Sequence, residues 1–189
     1  MGLKIKRIPS PNFSSRQGVE VDLIVIHSIS LPTGEFGTGY VVDLFLNRLD
    51  PKAHPSFEEL QGMRVSSHYF IDRQGEIIEF VPPEYAAWHA GESSFEGRTN
   101  CNLFSIGIEL EGDISISFTD QQYESLIELC HLLMERYPSI RPERIVGHSD
   151  IAPHRKKDPG PLFSWERLRE GLAKRKGKGW REFTSQKRG

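Results

Sequence analysis

Cysteine is scarce in this chain: among 189 residues only Cys101 and Cys130 occur, far apart. That excludes a disulfide framework and a closed structural zinc site built from closely spaced thiolates. No apolar run approaches the roughly 20 residues that cross a bilayer. No excess of one charge is present either: 24 Lys and Arg against 26 Asp and Glu leave a formal net charge of −2. Neither nucleic acid nor a membrane surface is therefore expected as a partner. The charged stretch Met1–Pro9 is not followed by an apolar segment, so it does not read as an export signal, and the expected compartment is the cytoplasm. Internal repeats are absent.

What is present suits one domain. With 37% hydrophobic residues over this length, one full core is affordable and two are not. Val21–Ile26 is a β-branched apolar run that reads as a buried strand ending at His27-Ser28. A Pro- and Gly-rich insertion follows over 29–57, with a short helix expected at Tyr40–Asn47. Ser66–Ile71 and Glu76–Val81 flank Asp72-Arg73-Gln74-Gly75, a hairpin pattern. Residues 83–103 read as a loop carrying Trp88-His89-Ala90-Gly91, and Phe104–Gly112 as another strand. Thr119 and Gln122 make a capping box for a helix whose apolar stripe runs from Tyr123 to Tyr137 and stops at Pro138. Arg144–Gly147 is a last short strand, and Ser164 caps a final helix to about Arg175. The fold class is α/β: a single domain at 5–175, a central mixed sheet flanked by helices, and a basic C-terminal tail at 176–189.

The segment His148–Pro161 carries the chemistry. Pro153, Pro159, Gly160 and Pro161 make it a shaped loop that can bring His148 and Asp158 to one point. The strand-end His27 offers a third donor. Two imidazoles and a carboxylate form the ligand set of open catalytic zinc sites, which keep one position for water. Taken singly these residues are ordinary, since a lone strand-end His is usually a satisfied polar group and Asp before Pro usually starts a turn. Glu109 and Glu111 sit two apart on one strand and face the same way, so spacing does not choose between them.

Together, His27, Ser67–Gly75, Trp88–Gly91, Ser105-Ile106-Gly107-Ile108-Glu109 and the His148–Pro161 loop give this chain its family resemblance. It resembles the zinc-dependent N-acetylmuramoyl-L-alanine amidases, whose fold is shared with peptidoglycan recognition proteins and phage T7 lysozyme. Ser30–Gly37, Asp50–Pro55 and the last loop make it most similar to the cytoplasmic 1,6-anhydro-muropeptide subgroup. The resemblance covers roughly residues 5–170. It implies zinc held by His27, His148 and Asp158, with Glu109 as catalytic acid/base and Lys156 as the cation that stabilises the oxyanion. The implied reaction is hydrolysis of the amide between the lactyl group of muramic acid and L-alanine, in peptidoglycan recycling. The implied partner is a small muropeptide acted on by a monomer. A binding module that does not cleave, or an amidase of intact wall, are the rival readings.

Substrate contacts are expected at Ser28, Arg64, His68, Trp88, His89, Arg98 and Asn100. Trp88 and His89 suit a sugar or peptide platform, although Trp is more often core. His68 is equally a substrate contact, the partner of a ligand or a polar core residue. Three positions depart from the subgroup. Ser28 replaces a common Asn, Asn100 stands where an Arg is expected, and His154 occupies a variable position and is not counted as a ligand. Arg64 and Arg98 are the remaining candidates for holding a substrate carboxylate. The 29–57 insertion has the length of a lid.

Overall fold

The computed structural model describes residues 3–175; the expected basic tail lies outside them. In chain order the strands are β1 (Ile5–Arg7), β2 (Phe13–Ser15), β3 (Leu23–Ile29), β4 (Tyr69–Ile71), β5 (Ile77–Glu79), β6 (Tyr85–Ala87), β7 (Ser94–Phe95), β8 (Arg98–Thr99), β9 (Ser105–Glu111) and β10 (Ile145–Gly147). The α-helices are α1 (Tyr40–Phe45), α2 (Asp120–Arg136), α3 (His148–Ile151) and α4 (Trp165–Arg175). Six strands form a mixed sheet in the order β1-β5-β4-β9-β3-β10. All its neighbours run parallel except the β4–β5 hairpin.

The two central strands explain their own composition. β9 is buried at all seven positions and β3 at its first five, because both sheet faces are covered. On one face, Ile24, Ile26, Ile106, Ile108 and Leu110 pack against Leu126, Leu129, Cys130 and Leu133 of α2 and Leu168 and Leu172 of α4. On the other, Leu23 and Val25 meet Ala90, Cys101, Phe104 and Ile151. Side chains alternate along a strand, so His27, Glu109 and Glu111 share this second face, away from α2 and α4.

Helix α2 begins as its sequence dictates. Thr119 Oγ1 accepts the Gln122 amide at 3.1 Å and Gln122 Oε1 accepts the Thr119 amide at 3.0 Å. Ser164 caps α4 through the Arg167 amide. Several expected boundaries shift. β3 continues through Ile29, so His27 lies inside the strand, paired with Glu109 of β9 and one residue past the last pair with β10 at Ile26. Residues 83–103 are not simply a loop but contain β6, β7 and β8, and the loop after β10 opens with the single helical turn α3.

The long insertion is fastened rather than free. Glu111 Oε1 accepts the Gly37 amide and Oε2 the Arg73 amide at 3.1 Å, joining the insertion to the hairpin turn. Ser10 Oγ donates to the Phe45 carbonyl, and Asn12 donates to that carbonyl and to Asn47 Oδ1. These bonds seat α1 on the N-terminal segment.

Candidate active site

Sheet register assembles the site. His27 on β3 pairs with Glu109 on β9, and Gly147, paired with Ile26, hands the chain directly to His148. Glu109 on β9, His27 on β3 and His148, the first residue after β10, thus stand side by side towards the carboxyl ends of parallel strands, where ligands bind open α/β sheets. Asp158 returns from the last loop, whose ends are tied by the Ser149 amide donating to the Asp158 carbonyl at 3.0 Å.

Three donor atoms converge. His27 Nδ1 lies 3.0 Å from His148 Nδ1 and 3.4 Å from Asp158 Oδ2, and His148 Nδ1 lies 3.1 Å from the same oxygen. A tetrahedral ion with ligands at about 2.0–2.1 Å spaces its donors about 3.3 Å apart, so His27, His148 and Asp158 can hold one metal ion. Burial holds the His27 imidazole neutral, its pKa lowered to about 4. Burial alone would raise the Asp158 carboxyl, but its bonds to His148 and His27 outweigh that and hold it well below the usual carboxylate range. A neutral imidazole beside an ionised carboxylate is the protonation state a metal needs.

Glu109 completes the group. Its Oε1 lies 3.9 Å from His27 Nδ1, and its Oε2 is buried without a hydrogen-bond partner among the described residues. Burial first, and the negative charge of Asp158 second, push its carboxyl well above the ordinary value, with Lys156 partly offsetting them. A carboxyl so placed holds a proton more tightly than an exposed one. Glu111, two residues on, spends both oxygens on backbone amides. Of the two carboxylates that spacing left open, Glu109 is the one that faces the donor cluster.

A cleft of about 470 Å³ gives access, lined by Ser28, Trp88, Glu109, His148, Lys156 and Asp158 among others. His89 reaches its floor, but both ring nitrogens are taken, Nδ1 facing His27 Nε2 at 2.9 Å and Nε2 facing Ser105 Oγ at 3.1 Å. It is a buried neighbour of a ligand rather than a platform.

The other expected contacts divide. Arg64 is exposed beside the cleft, in a small hollow that shares Leu44, Leu60 and Met63 with it. His68 is wholly buried, its Nδ1 accepting the Gly107 amide and its Nε2 facing the Tyr85 carbonyl. It ties strands together instead of meeting substrate. Arg98 is paired with Asp22 and lies over Phe104, which keeps it from the cleft. Asn100 and His154 line a separate hollow of about 540 Å³ that contains none of the metal-site residues.

The N-acetylmuramoyl-L-alanine amidase family matches residues 17–161. The chain belongs to that family. It is 53% identical over 163 residues to the 1,6-anhydro-N-acetylmuramyl-L-alanine amidase AmpD of Haemophilus influenzae, covering 86% of this chain and 89% of that one. A solved AmpD structure superposes with a TM-score of 0.87 at 46% identity, over 91% of this chain and 99% of the other. AmiD from E. coli, solved with the substrate anhydro-N-acetylmuramic acid-L-Ala-D-γ-Glu-L-Lys, gives 0.60 at 34% identity, over 82% of this chain and 59% of AmiD.

The sequence reading of this amidase missed Asn102, Ser105 and Arg16. Asn102 Oδ1 accepts the amides of both His89 and Ala90, while the buried Arg16 guanidinium bonds the carbonyls of Pro83, Asn102, Leu103 and Ser105. Asn102 and Ser105 reach His89 across 13 and 16 positions, and Arg16 reaches its carbonyls across 67 or more. One signal was available: Gly107 inside a buried strand marks a close approach by another group.

Proposed function

We propose that this amidase is zinc-dependent and hydrolyses the amide joining the lactyl group of 1,6-anhydro-N-acetylmuramic acid to L-alanine. It does so as a cytoplasmic monomer, in the recycling of peptidoglycan fragments. The observation that carries this reading is the convergence of His27, His148 and Asp158 beside a buried oxygen of Glu109 that has no hydrogen-bond partner among the described residues. Similarity to AmpD over most of both chains supports the substrate class. The buried free thiols of Cys101 and Cys130 agree with a reducing compartment.

Zinc, when bound, polarises a carbonyl and lowers the pKa of water towards ~7. The protein's own groups do the rest. Glu109 takes the proton of the attacking water on a carboxylate whose burial has already raised its basicity, then returns it to the departing L-alanine amine. Lys156, on the cleft wall, sets its positive charge against the oxygen that becomes negative as the amide carbon turns tetrahedral. Trp88 offers a half-buried ring to the sugar or peptide, and Ser28 a hydroxyl beside the ligand His27.

The test is product analysis of purified protein on an anhydromuramyl-tripeptide, with a chelator, and with zinc restored. Free tripeptide that disappears on chelation and returns with zinc is the expected result. Stoichiometric binding without product would overturn the enzymatic reading, and a preference for intact sacculi would overturn the recycling substrate.

A further inference from the structure

The consecutive residues His89 and Ala90 reach the two candidate histidine ligands from behind. His27 Nε2 lies 2.9 Å from His89 Nδ1, and His148 Nε2 lies 3.3 Å from the Ala90 carbonyl. A carbonyl only accepts, so His148 carries its proton on Nε2 and turns Nδ1 inward. The same orientation follows for His27 by a longer route. Ser105 Oγ donates its one hydrogen to the Cys101 carbonyl at 2.6 Å, so towards His89 it accepts, and His89 carries its proton on Nε2. The neutral His89 ring then has a bare Nδ1, which accepts from His27 Nε2. His27 is left with a bare Nδ1 facing His148 and Asp158.

We propose that His89 is a positioning residue for the metal centre: a one-way hydrogen-bond chain, from His27 through His89 and Ser105 to the Cys101 carbonyl, fixes the His27 tautomer and aims its Nδ1 at the ion. This rests on the zinc reading above. The chain is built, not incidental. Asn102 Oδ1 holds the amides of His89 and Ala90 at 3.1 and 2.8 Å, which sets the turn that sends one side chain and one carbonyl to the two ligands. Arg155 also donates to the Ala90 carbonyl at 2.7 Å. Gly107 makes the room: a Cβ there would overlap the His89 ring. Outer partners of this kind set ligand orientation and basicity, and their loss typically weakens metal binding 10–100-fold.

Two measurements test the proposal. The first is the long-range ¹H–¹⁵N histidine spectrum of the zinc-loaded wild-type protein, which needs no substitution. It is expected to show His27 protonated on Nε2 and metal-bound through Nδ1; protonation on Nδ1 would overturn the proposal. The second is zinc affinity by chelator competition for wild type, His89→Leu and His89→Asn, each checked for native circular dichroism. His89→Leu should bind about 10–100-fold more weakly. His89→Asn, whose Oδ1 can stand in for the Nδ1 acceptor, should recover part of that loss. A folded His89→Leu protein that binds zinc as tightly as wild type overturns the role of His89 and leaves the zinc reading intact. A wild-type protein that takes up no zinc overturns both.

Discussion

Glu109 is buried to 8% exposure with one oxygen lacking a hydrogen-bond partner among the described residues, an arrangement that costs stability. Its Glu109→Gln substitution should lower kcat by about 10²–10⁴-fold while zinc affinity stays unchanged, read by tripeptide release and chelator competition. The same change should raise the melting temperature of the metal-free protein at pH 7. A folded pKa raised by burial means that the native state favours the protonated carboxyl, so stability falls as pH rises through that pKa. Gln removes the penalty. A Gln variant that melts lower would contradict the burial argument. Lys156→Met should reduce kcat with little change in zinc content, because its charge faces the cleft without ligating.

Among the elements, the insertion between β3 and β4 is governed by a carboxylate at the end of β9. Glu111 receives amides from Gly37 and Arg73 in a buried setting. Replacing it with Ala leaves both donors without their acceptor, at a cost of about 1–3 kcal/mol. Glu111→Ala should therefore lower the urea midpoint and speed proteolysis within 29–57. Unchanged cleavage there would show that the bonds of Ser10 and Asn12 to Phe45 suffice to hold the insertion.

For the whole molecule, acid should be more damaging than the near-neutral net charge suggests. Burial lowers His27 to about 4 and His68 to about 3, and drives His89 well below its ordinary value. Groups with depressed folded pKa values contribute stability that is full above the unfolded value near 6.5 and is lost as pH falls through the folded ones. The metal-free protein should thus lose stability progressively from about pH 6.5 to pH 3, measured as urea midpoints; a flat profile across that window would contradict neutral burial of these rings. At neutral pH, free zinc at 100 times its dissociation constant should stabilise the folded chain by about 2.7 kcal/mol. No such gain is expected for a folded Asp158→Ala variant, which lacks one of the three donors.

The sequence by itself determined the local elements and the residue types of the site. Capping at Thr119, the turn at Asp72–Gly75 and the apolar runs of β3 and β9 depend on neighbours within a few positions. The family resemblance rested on motifs in the same linear string. Tertiary structure alone decided what depends on register and return. Parallel pairing set His27 against Glu109 and put His148 beside them, and the bonding of Glu111 to Gly37 and Arg73 left Glu109 as the carboxylate facing the donors. It also set His89, expected as part of a sugar or peptide platform, against His27, since that contact spans 62 positions and needs the bare backbone of Gly107 beneath the ring. Short-range patterns are written in neighbouring residues, whereas a hydrogen bond between distant segments exists only once the sheet has set their separation and direction.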